Sequence, residues 1–531
     1  MMTRRQGLAA ALLTPWMRGV WAADAAAPLG DQERALHALE RLGFGPRPAD
    51  SETILAQGPG AWLKGFLGAQ LQGARIDLPD ALDQRLAAED TARLDQGELY
   101  ERFRRAQQLE RELKKAQTDG DKADDKDDKA APNPRRELVR PVVIQASEQR
   151  LLRALASPAQ LEEVLVDFWF NHFNVYAGKG PVSVWVGSYE REAIRPNVFG
   201  SFRAMLGATA KHPAMLFYLD NAQSVAANFH PRGRFGASRP ANPKQANGLN
   251  ENYARELMEL HTLGVDGGYT QRDVTELARM LTGWTFDPKP SWGDGASLFR
   301  FVDQRHDQGR KHWLGRTVEP NGQGEGEMAL DVLAAHPSTA RHIGFQLAQA
   351  FVADEPPPAL VQRLADRFIA AKDSRTQLRD VMQELVQSDE FWSREAFRAK
   401  FKSPYRYVLS SLRVLAPADM ALADTLPREV QPLLGALNQA GMPLYGSVTP
   451  DGYKNTAAAW QNPEALTQRV QLAQTLNKRF DKRPALATRE SDMVLATLGP
   501  LLSASTIASV RGATPDLRTP LLLGSPDFMR F

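Results

Sequence analysis

Apolar residues recur every three or four positions along most of the chain, whereas the alternation expected of β-strands is scarce. Residues 32–42, 159–175 and 250–286 show this helical spacing most clearly, and further helices are predicted over 140–219 and from 328 to about 415. The pattern predicts a mainly α-helical fold. It favours a multi-helical single large domain, or two closely packed helical subdomains, with long irregular loops.

Two segments interrupt the helical pattern. Residues 117–131 are charged and contain no large apolar side chain, so we predict a solvated, disordered insertion, with a functional tail as the alternative. Residues 222–249 are rich in glycine, proline, serine and asparagine, and contain Arg232 and Arg234 but no acidic residue. This basic loop leads into a predicted helix start at Asn250, where backbone N–H groups favour an anion. We predict an anion-binding loop, with a plain solvated loop as the alternative.

The N-terminus has the composition of an export signal. Arg4 and Arg5 precede an apolar run at 7–16, and small residues follow near Ala22, where cleavage is predicted. The paired arginines suggest the twin-arginine route, although Gly7 stands where a large apolar residue is usual. The alternative is a frayed basic end. The sequence thus predicts a signal at 1–22, a helical domain at 31–531, and a periplasmic or otherwise exported protein.

Composition excludes several classes of function. The chain has 65 Lys+Arg and 63 Asp+Glu, so no overall field favours nucleic acid, and we predict no nucleic-acid partner. No apolar run reaches the ~18 to 20 residues that span a bilayer, so no transmembrane segment is predicted in the mature chain. The cysteine count is zero, which excludes disulfides, thiolate metal sites and cysteine nucleophiles.

The predicted helix at 251–263 carries a row of polar side chains. Asn252, Glu256 and Glu259 are spaced i, i+4 and i+7, which aims a carboxamide and two carboxylates at one point. Glu256 is a catalytic candidate, and Asn252, Glu259 and His261 are binding candidates. The alternative for this face is an ordinary surface pair between Arg255 and Glu259. His261 has no second histidine or glutamate at a metal-binding spacing, which excludes the known helical metal motifs here.

Histidines supply the other candidates. His172, a catalytic candidate, continues the apolar face of the helix at 159–175, and Asn171 lies beside it as a binding candidate. The alternative is a core histidine with satisfied hydrogen bonds. His212 and His336 each precede a proline and are predicted to cap helices.

His306 and Asp307 form a dipeptide that resembles one found in helical metal phosphohydrolases. His306 is therefore a catalytic candidate, and both residues are candidate ligands of a divalent metal. Their glycine-rich surroundings depart from the helical context of those enzymes. No other cofactor is predicted.

Seven segments spread along the chain resemble the bacterial domain of unknown function 1800 family, from about residue 35 to the C-terminus. The resemblance implies a large, exported, mainly helical protein without an established activity. It also implies a sulfatase-like exported protein as a partner, because genes for the two are often neighbours. Some members carry histidine where this chain has Phe170, so a His-x-His metal pair is not essential here. The segments are HALERLGFGPRP (37–48), DFWFNHFNV (167–175), KHPAMLFYLDN (211–221), NENYARELMELHTLGVDGGYT (250–270), HDQGRKHWLG (306–315), HPSTAR (336–341) and PDGY (450–453).

Two functions remain open. The first is a hydrolase-like or metal- or cofactor-dependent enzyme acting on an anionic cell-envelope or polysaccharide substrate. The second is a non-catalytic periplasmic partner or maturation factor for a sulfatase-like exported protein. The enzyme hypothesis predicts that the polar candidates converge in one cleft, within about 10 Å of each other. The partner hypothesis predicts a broad exposed apolar patch.

Overall fold

The computed structural model describes residues 27–72, 76–119, 133–227, 229, 248–287, 297–416, 430–480 and 484–531, with side chains at 117–119 and 476–490 left out. The predicted export signal at 1–22 lies outside these residues. Most of the charged insertion at 117–131 and of the basic loop at 222–249, including Arg232 and Arg234, also lies outside them.

α-Helices dominate the described residues, which confirms the mainly α-helical prediction. Proline at the first helical position starts several of the N-terminal helices, because its missing N–H would lack a helical partner there in any case. These helices are α1 (Asp31–Arg41), α2 (Pro48–Gln57), α3 (Pro59–Leu71), α4 (Asp80–Ala87), α5 (Gln96–Asp119), α6 (Pro134–Leu138) and α7 (Arg140–Ala156), with a 3-10 turn at Asp90–Arg93.

The central helices pack around the family segments. Thr270 and Asp273 form a capping box at the start of the helix that follows them. The central helices are α8 (Gln160–His172), α9 (Val182–Tyr189), α10 (Phe202–Lys211), α11 (Pro213–Tyr218), α12 (Asn252–Glu259) and α13 (Gln271–Leu281). A π-turn at Glu190–Ile194 and 3-10 turns at Arg195–Asn197 and Asn221–Gln223 join them.

Two small antiparallel hairpins follow α13. β1 (Trp284–Phe286) pairs with β2 (Phe299–Phe301), and β3 (Lys311–Trp313) pairs with β4 (Arg316–Val318). A 3-10 turn at Asp303–Arg305 joins the two hairpins.

The C-terminal part is again helical, with a last 3-10 turn at Gly499–Leu501. Its helices are α14 (Gln323–Ala334), α15 (Pro337–Phe351), α16 (Pro358–Ala370), α17 (Gln377–Gln387), α18 (Pro404–Val414), α19 (Gln431–Gln439), α20 (Ala457–Trp460), α21 (Pro463–Phe480), α22 (Pro484–Leu498), α23 (Ala504–Gly512) and α24 (Pro515–Leu523).

Both predicted histidine caps are present. The Nδ1 atom of His212 accepts a hydrogen bond of 3.2 Å from the Ala214 N–H at the start of α11, and Nδ1 of His336 accepts one of 3.1 Å from the Ser338 N–H in α15. Burial lowers the pKa of each ring, so both are neutral at pH 7, as an accepting Nδ1 requires. These histidines therefore serve local architecture.

The sequence predicts a helix over 251–263, but the predicted C-terminal end is wrong, because α12 ends at Glu259. The His261 N–H bonds to the Glu256 carbonyl, five residues back, and the Thr262 hydroxyl donates to the Leu257 carbonyl at 2.6 Å. These bonds widen the last turn and release His261 from the helix. Side-chain competition for backbone carbonyls of this kind is a known cause of early helix ends.

Buried apolar side chains form two main clusters, one that extends from the N-terminal helices to α19 and one that comes mainly from α18 and the helices after it, with Leu36 of α1. Helix α18 borders both, since Tyr405 belongs to the first cluster and Tyr407 to the second. Arg406 lies between these tyrosines in sequence, and its guanidinium lies 5.2 Å from the centroid of the Phe44 ring, which belongs to the first cluster. The start of α18 therefore marks the junction at which the candidate site lies.

Candidate functional site

Two asparagines near the end of α8 hold a loop that is distant in sequence. The Asn171 amide donates to the Tyr453 carbonyl at 2.9 Å, and the Tyr453 N–H donates back to Asn171 Oδ1 at 2.7 Å. The Asn174 amide donates to the carbonyls of Ser447, at 3.1 Å, and Thr449, at 2.8 Å. The PDGY segment is therefore fixed against α8, by side chains of the DFWFNHFNV segment.

Gly452 makes this close approach of the loop to α8 feasible. Its φ is +66°, a backbone conformation that side chains disfavour. A β-carbon at this position would lie 2.4 Å from the Asn171 carbonyl oxygen and 2.5 Å from its Oδ1. Both the turn and the contact thus require glycine.

A cleft of about 320 Å³ opens between α8, α15, the start of α18 and the loop that Asn171 and Asn174 hold. Three other cavities, of about 590 to 670 Å³, contain none of the candidate residues. The polar side chains that line the cleft include Asp167, Asn171, His172, His342, Gln346, Arg406, Asp451 and Tyr453.

His172 borders the cleft, but the protein occupies both of its ring nitrogens. Nδ1 lies 2.7 Å from the side-chain oxygen position of Gln346, and Nε2 lies 3.1 Å from the His261 carbonyl oxygen. Burial, reinforced by the nearby His342, lowers the pKa of His172 to about 4. The ring is therefore neutral and carries a single proton.

The one proton of His172 must lie on Nε2, because the His261 carbonyl can only accept. Nδ1 then accepts, which orients the Gln346 amide with its NH₂ towards His172 and its oxygen towards His342. The Gln346 amide lies 3.0 Å from Nε2 of His342, which is also 3.2 Å from the Leu260 carbonyl. This arrangement satisfies a chain of neutral hydrogen bonds from α8 to α15.

His261 meets His172 through its backbone as well as its ring. The two ring centroids are 6.2 Å apart, and those of His172 and His342 are 6.3 Å apart. Burial, together with His172 and His342, lowers the pKa of His261 well below its usual value. The Nε2 atom of His261 is buried and has no partner in the described part of the chain. Despite their proximity, no group of three or more His, Asp or Glu side chains among the described residues is arranged to hold a metal ion.

In the row predicted on α12, Glu256 is the residue that interacts electrostatically with a side chain of the cleft. Glu256 is one helical turn from Leu260, which lines the cleft, and is half-buried. Burial raises the pKa of Glu256, and the negative charges of Glu259 and Asp451 raise it further. Asp451 belongs to the loop that lines the cleft. Because its charge acts on Glu256, Glu256 and this loop are close enough to interact electrostatically.

The other polar residues of α12 have separate partners. Glu259 accepts a hydrogen bond of 3.4 Å from the Tyr269 hydroxyl, and the exposed Asn252 donates to the Leu219 carbonyl at 3.5 Å. The expectation of a surface ion pair between Arg255 and Glu259 is wrong. Arg255 donates instead to Glu251, at 3.4 Å, and to Gln271, at 2.9 Å, because α13 packs beside the start of α12.

His306 and Asp307 lie outside the cleft. The His306 ring is 2.9 Å from the Thr282 carbonyl and 3.1 Å from Glu325 Oε1, and the Lys311 ammonium lies 2.7 Å from Glu325 Oε2. Burial would raise the pKa of Glu325, but hydrogen bonds from His306 and Lys311 lower it.

Asp307 accepts two hydrogen bonds from one guanidinium, that of Arg279, at 2.9 and 3.1 Å. The His306–Asp307 dipeptide is therefore the meeting point of two ion-pair systems that tie the hairpins to α13 and α14. Among the residues that the structure describes, no complete ligand set for the predicted divalent metal surrounds this dipeptide.

A family model described as a protein of unknown function, DUF1800, matches residues 37–530. The chain belongs to the DUF1800 family. The match covers nearly the whole chain, as the resemblance of its segments predicted. Neither the curated proteins nor the solved structures compared with this DUF1800 protein contain a match.

The structure of the DUF1800 protein brings part of the predicted site together. Asn171, His172 and the backbone of His261 meet at the cleft, and Glu256 interacts electrostatically with the cleft residue Asp451, whereas His306 lies elsewhere. The signal for the loop was present in the sequence as the PDGY turn. The i, i+4 spacing of His342 and Gln346 on α15 was a weaker signal, and no feature of the sequence pointed to Arg406. The residues that the sequence analysis missed are His342, Gln346, Arg406 and Asp451.

No helix among the described residues of the DUF1800 protein is both long enough and apolar enough to cross a membrane.

Proposed function

We propose that this DUF1800 protein is an exported hydrolase that acts in the cleft on an anionic cell-envelope or polysaccharide substrate. The proposal is supported by two carboxyl groups that interact electrostatically, Glu256 and the cleft residue Asp451, because their surroundings shift their pKa values in opposite directions. Burial and Glu259 raise the pKa of Glu256. Burial also acts to raise the pKa of Asp451, but hydrogen bonds from Lys454 and Thr449 outweigh it and lower that pKa.

The two carboxyl groups of such a pair can serve as the general acid and the general base of a hydrolysis reaction. A carboxyl group that keeps its proton can donate it to a leaving group, while an ionised carboxylate beside it can activate water or stabilise positive charge. We assign the acid role to Glu256 and the base role to Asp451. Asn171 acts as a positioning residue, because it holds the backbone beside Asp451.

The test is release of new chain ends from polysaccharides that contain uronic acids or sulfate groups. We expect activity in the wild type and a loss of about 10²- to 10⁴-fold in Glu256→Gln, which is the usual contribution of a general acid. The matched control is Glu101→Gln, an exposed glutamate on α5, which should keep full activity. A Glu256→Gln enzyme as active as the wild type would rule out the acid role.

The pH profile provides a second readout. The acid must be protonated, so the rate should fall as the pH rises through the raised pKa of Glu256. The base must be ionised, so the rate should also fall as the pH drops through the lowered pKa of Asp451. Asp451→Asn should remove the acidic limb of this profile together with most of the rate.

An exposed apolar patch favours the second candidate, a non-catalytic partner of a sulfatase-like exported protein. Val470 on α21 and Leu517 and Leu521 on α24 are 41%, 49% and 43% exposed. Leu517 and Leu521 are one turn apart on the same face, and α24 packs against α21.

The partner candidate predicts co-elution of the two purified proteins in size-exclusion chromatography. The double substitution Leu517→Ser and Leu521→Ser should abolish co-elution, whereas Leu55→Ser, at a leucine on α2 that is 71% exposed, should not. Separate elution of the wild-type proteins would contradict this candidate.

A further inference from the structure

Basic side chains collect at the end of the cleft where α18 begins. The carboxylates close to them already have cationic partners. Glu40 pairs with Lys402 at 3.2 Å, Asp167 pairs with Arg150 at 2.5 Å, and Asp354 pairs with Lys400. Within the described part of the chain, neither Arg41 nor Arg406 has a carboxylate at ion-pair distance. This end of the cleft therefore has positive charge in excess.

Arg406 is held rigidly, but only one of its three guanidinium nitrogens donates a hydrogen bond within the described part of the chain. Its Nη1 donates to the carbonyls of Glu40 and Gly43, both at 2.6 Å, and its guanidinium stacks 4.2 Å from the centroid of the Phe531 ring. Nε and Nη2 have no partner among the described residues, and they are not among the buried unsatisfied atoms, so they remain accessible. Because Arg406 lines the cleft, these donors are available to a ligand there.

Arg41 adds a second positive charge beside the same aromatic ring, and no carboxylate of the described residues lies at ion-pair distance from it. It is 1% exposed, and its Nε and Nη1 are buried without a partner in the described residues. Its guanidinium lies 4.9 Å from the Phe531 centroid. Burial and the charge of Arg406 lower the pKa of Arg41 to about 9.

Two like charges in a poorly solvated place are costly unless an anion offsets them. A guanidinium with two free N–H groups suits an oxyanion, which it can bind through paired hydrogen bonds. The lining of the cleft also includes aromatic surface from Phe168 and Tyr453. The cleft thus combines a site for an oxyanion with apolar walls for the ring that carries it.

We propose that Arg406 is the specificity-determining residue of the cleft, and that it binds the carboxylate, phosphate or sulfate group of an acidic sugar ring. The inference rests on the proposed function for the location of the substrate. It deepens that function by naming the substrate class and the residue that selects it. Its test requires binding alone, without turnover.

The experiment is calorimetric titration with glucuronic acid, glucose 6-phosphate, glucose 6-sulfate and neutral glucose at constant ionic strength. We expect at least one acidic sugar to bind the wild type at least tenfold more tightly than glucose, and the strongest of the three identifies the anionic group. Arg406→Gln should lose this preference, and Arg406→Lys should retain part of it. The matched control Arg272→Gln, at an exposed arginine on α13, should bind as the wild type does.

Equal binding of glucose and all three acidic sugars to the wild type would overturn the proposal, and this measurement does not depend on how a variant folds. An unchanged preference in Arg406→Gln would also overturn it. Glu256→Gln separates the two proposals, because it should lose turnover but keep the preference for acidic sugars. Full turnover in Glu256→Gln with that preference intact would refute the hydrolase mechanism and leave the role of Arg406 standing.

Discussion

At the scale of single residues, the cleft depends on polar side chains whose partners lie far away in sequence. Asn171 bonds to Tyr453, 282 positions later, and Arg406 bonds to Glu40, 366 positions earlier. Helical spacing places Asn171 and His172 on faces of α8, but it carries no information about such distant partners. Residue types and faces could therefore be predicted, whereas the cleft could not.

Gly452 gives a prediction at this scale. Gly452→Ala should destabilise the protein by about 2 to 4 kcal/mol, since alanine would both adopt a positive φ and collide with Asn171. Gly441→Ala is the matched control, because Gly441 also has a positive φ, +77°, but nothing lies within 4 Å of its β-carbon position. It should cost only about 1 kcal/mol. Urea unfolding measures both values, and equal losses would mean that contact with Asn171 does not matter.

At the scale of elements, local signals predicted helix starts better than helix ends. The capping box at Thr270 and the His-Pro caps depend on neighbouring residues, so the sequence contains them in full. The end of α12 depends instead on a competition between backbone and side-chain hydrogen bonds around Thr262. The short hairpins after α13 were not predicted, because strands of three residues are too brief for an alternating pattern to register.

The loop at 447–453 gives a prediction for an element. Asn171→Ala removes both hydrogen bonds to Tyr453, and a lost buried hydrogen bond costs about 1 to 3 kcal/mol. Amide hydrogen exchange in this loop should therefore accelerate by about tenfold or more, while exchange in α16 stays unchanged. Asn252→Ala, which removes an exposed amide with one long bond of 3.5 Å, should leave the loop protected. Acceleration throughout the molecule would indicate global destabilisation instead.

At the scale of the whole molecule, the two apolar clusters explain why the cleft lies where it does. Each core excludes charge, so the cations and carboxylates of α1, α8 and α18 collect where the cores adjoin. Tyr405 and Tyr407 fix α18 in both cores and leave Arg406 at the boundary. The sequence predicted helical packing in one or two units, but the boundary between the clusters becomes visible only when distant helices are in place.

Export is the remaining prediction about the whole molecule, and the paired arginines make it testable. The twin-arginine route exports folded proteins and requires the arginine pair, so Arg4→Lys with Arg5→Lys should leave the protein in the cytoplasm. Cell fractionation with an antibody should then show the wild type outside the cytoplasm and the double variant inside it. Arg18→Lys, a matched change outside the pair, should be exported normally. Export of the double variant would exclude the twin-arginine route, and a cytoplasmic wild type would contradict export by any route.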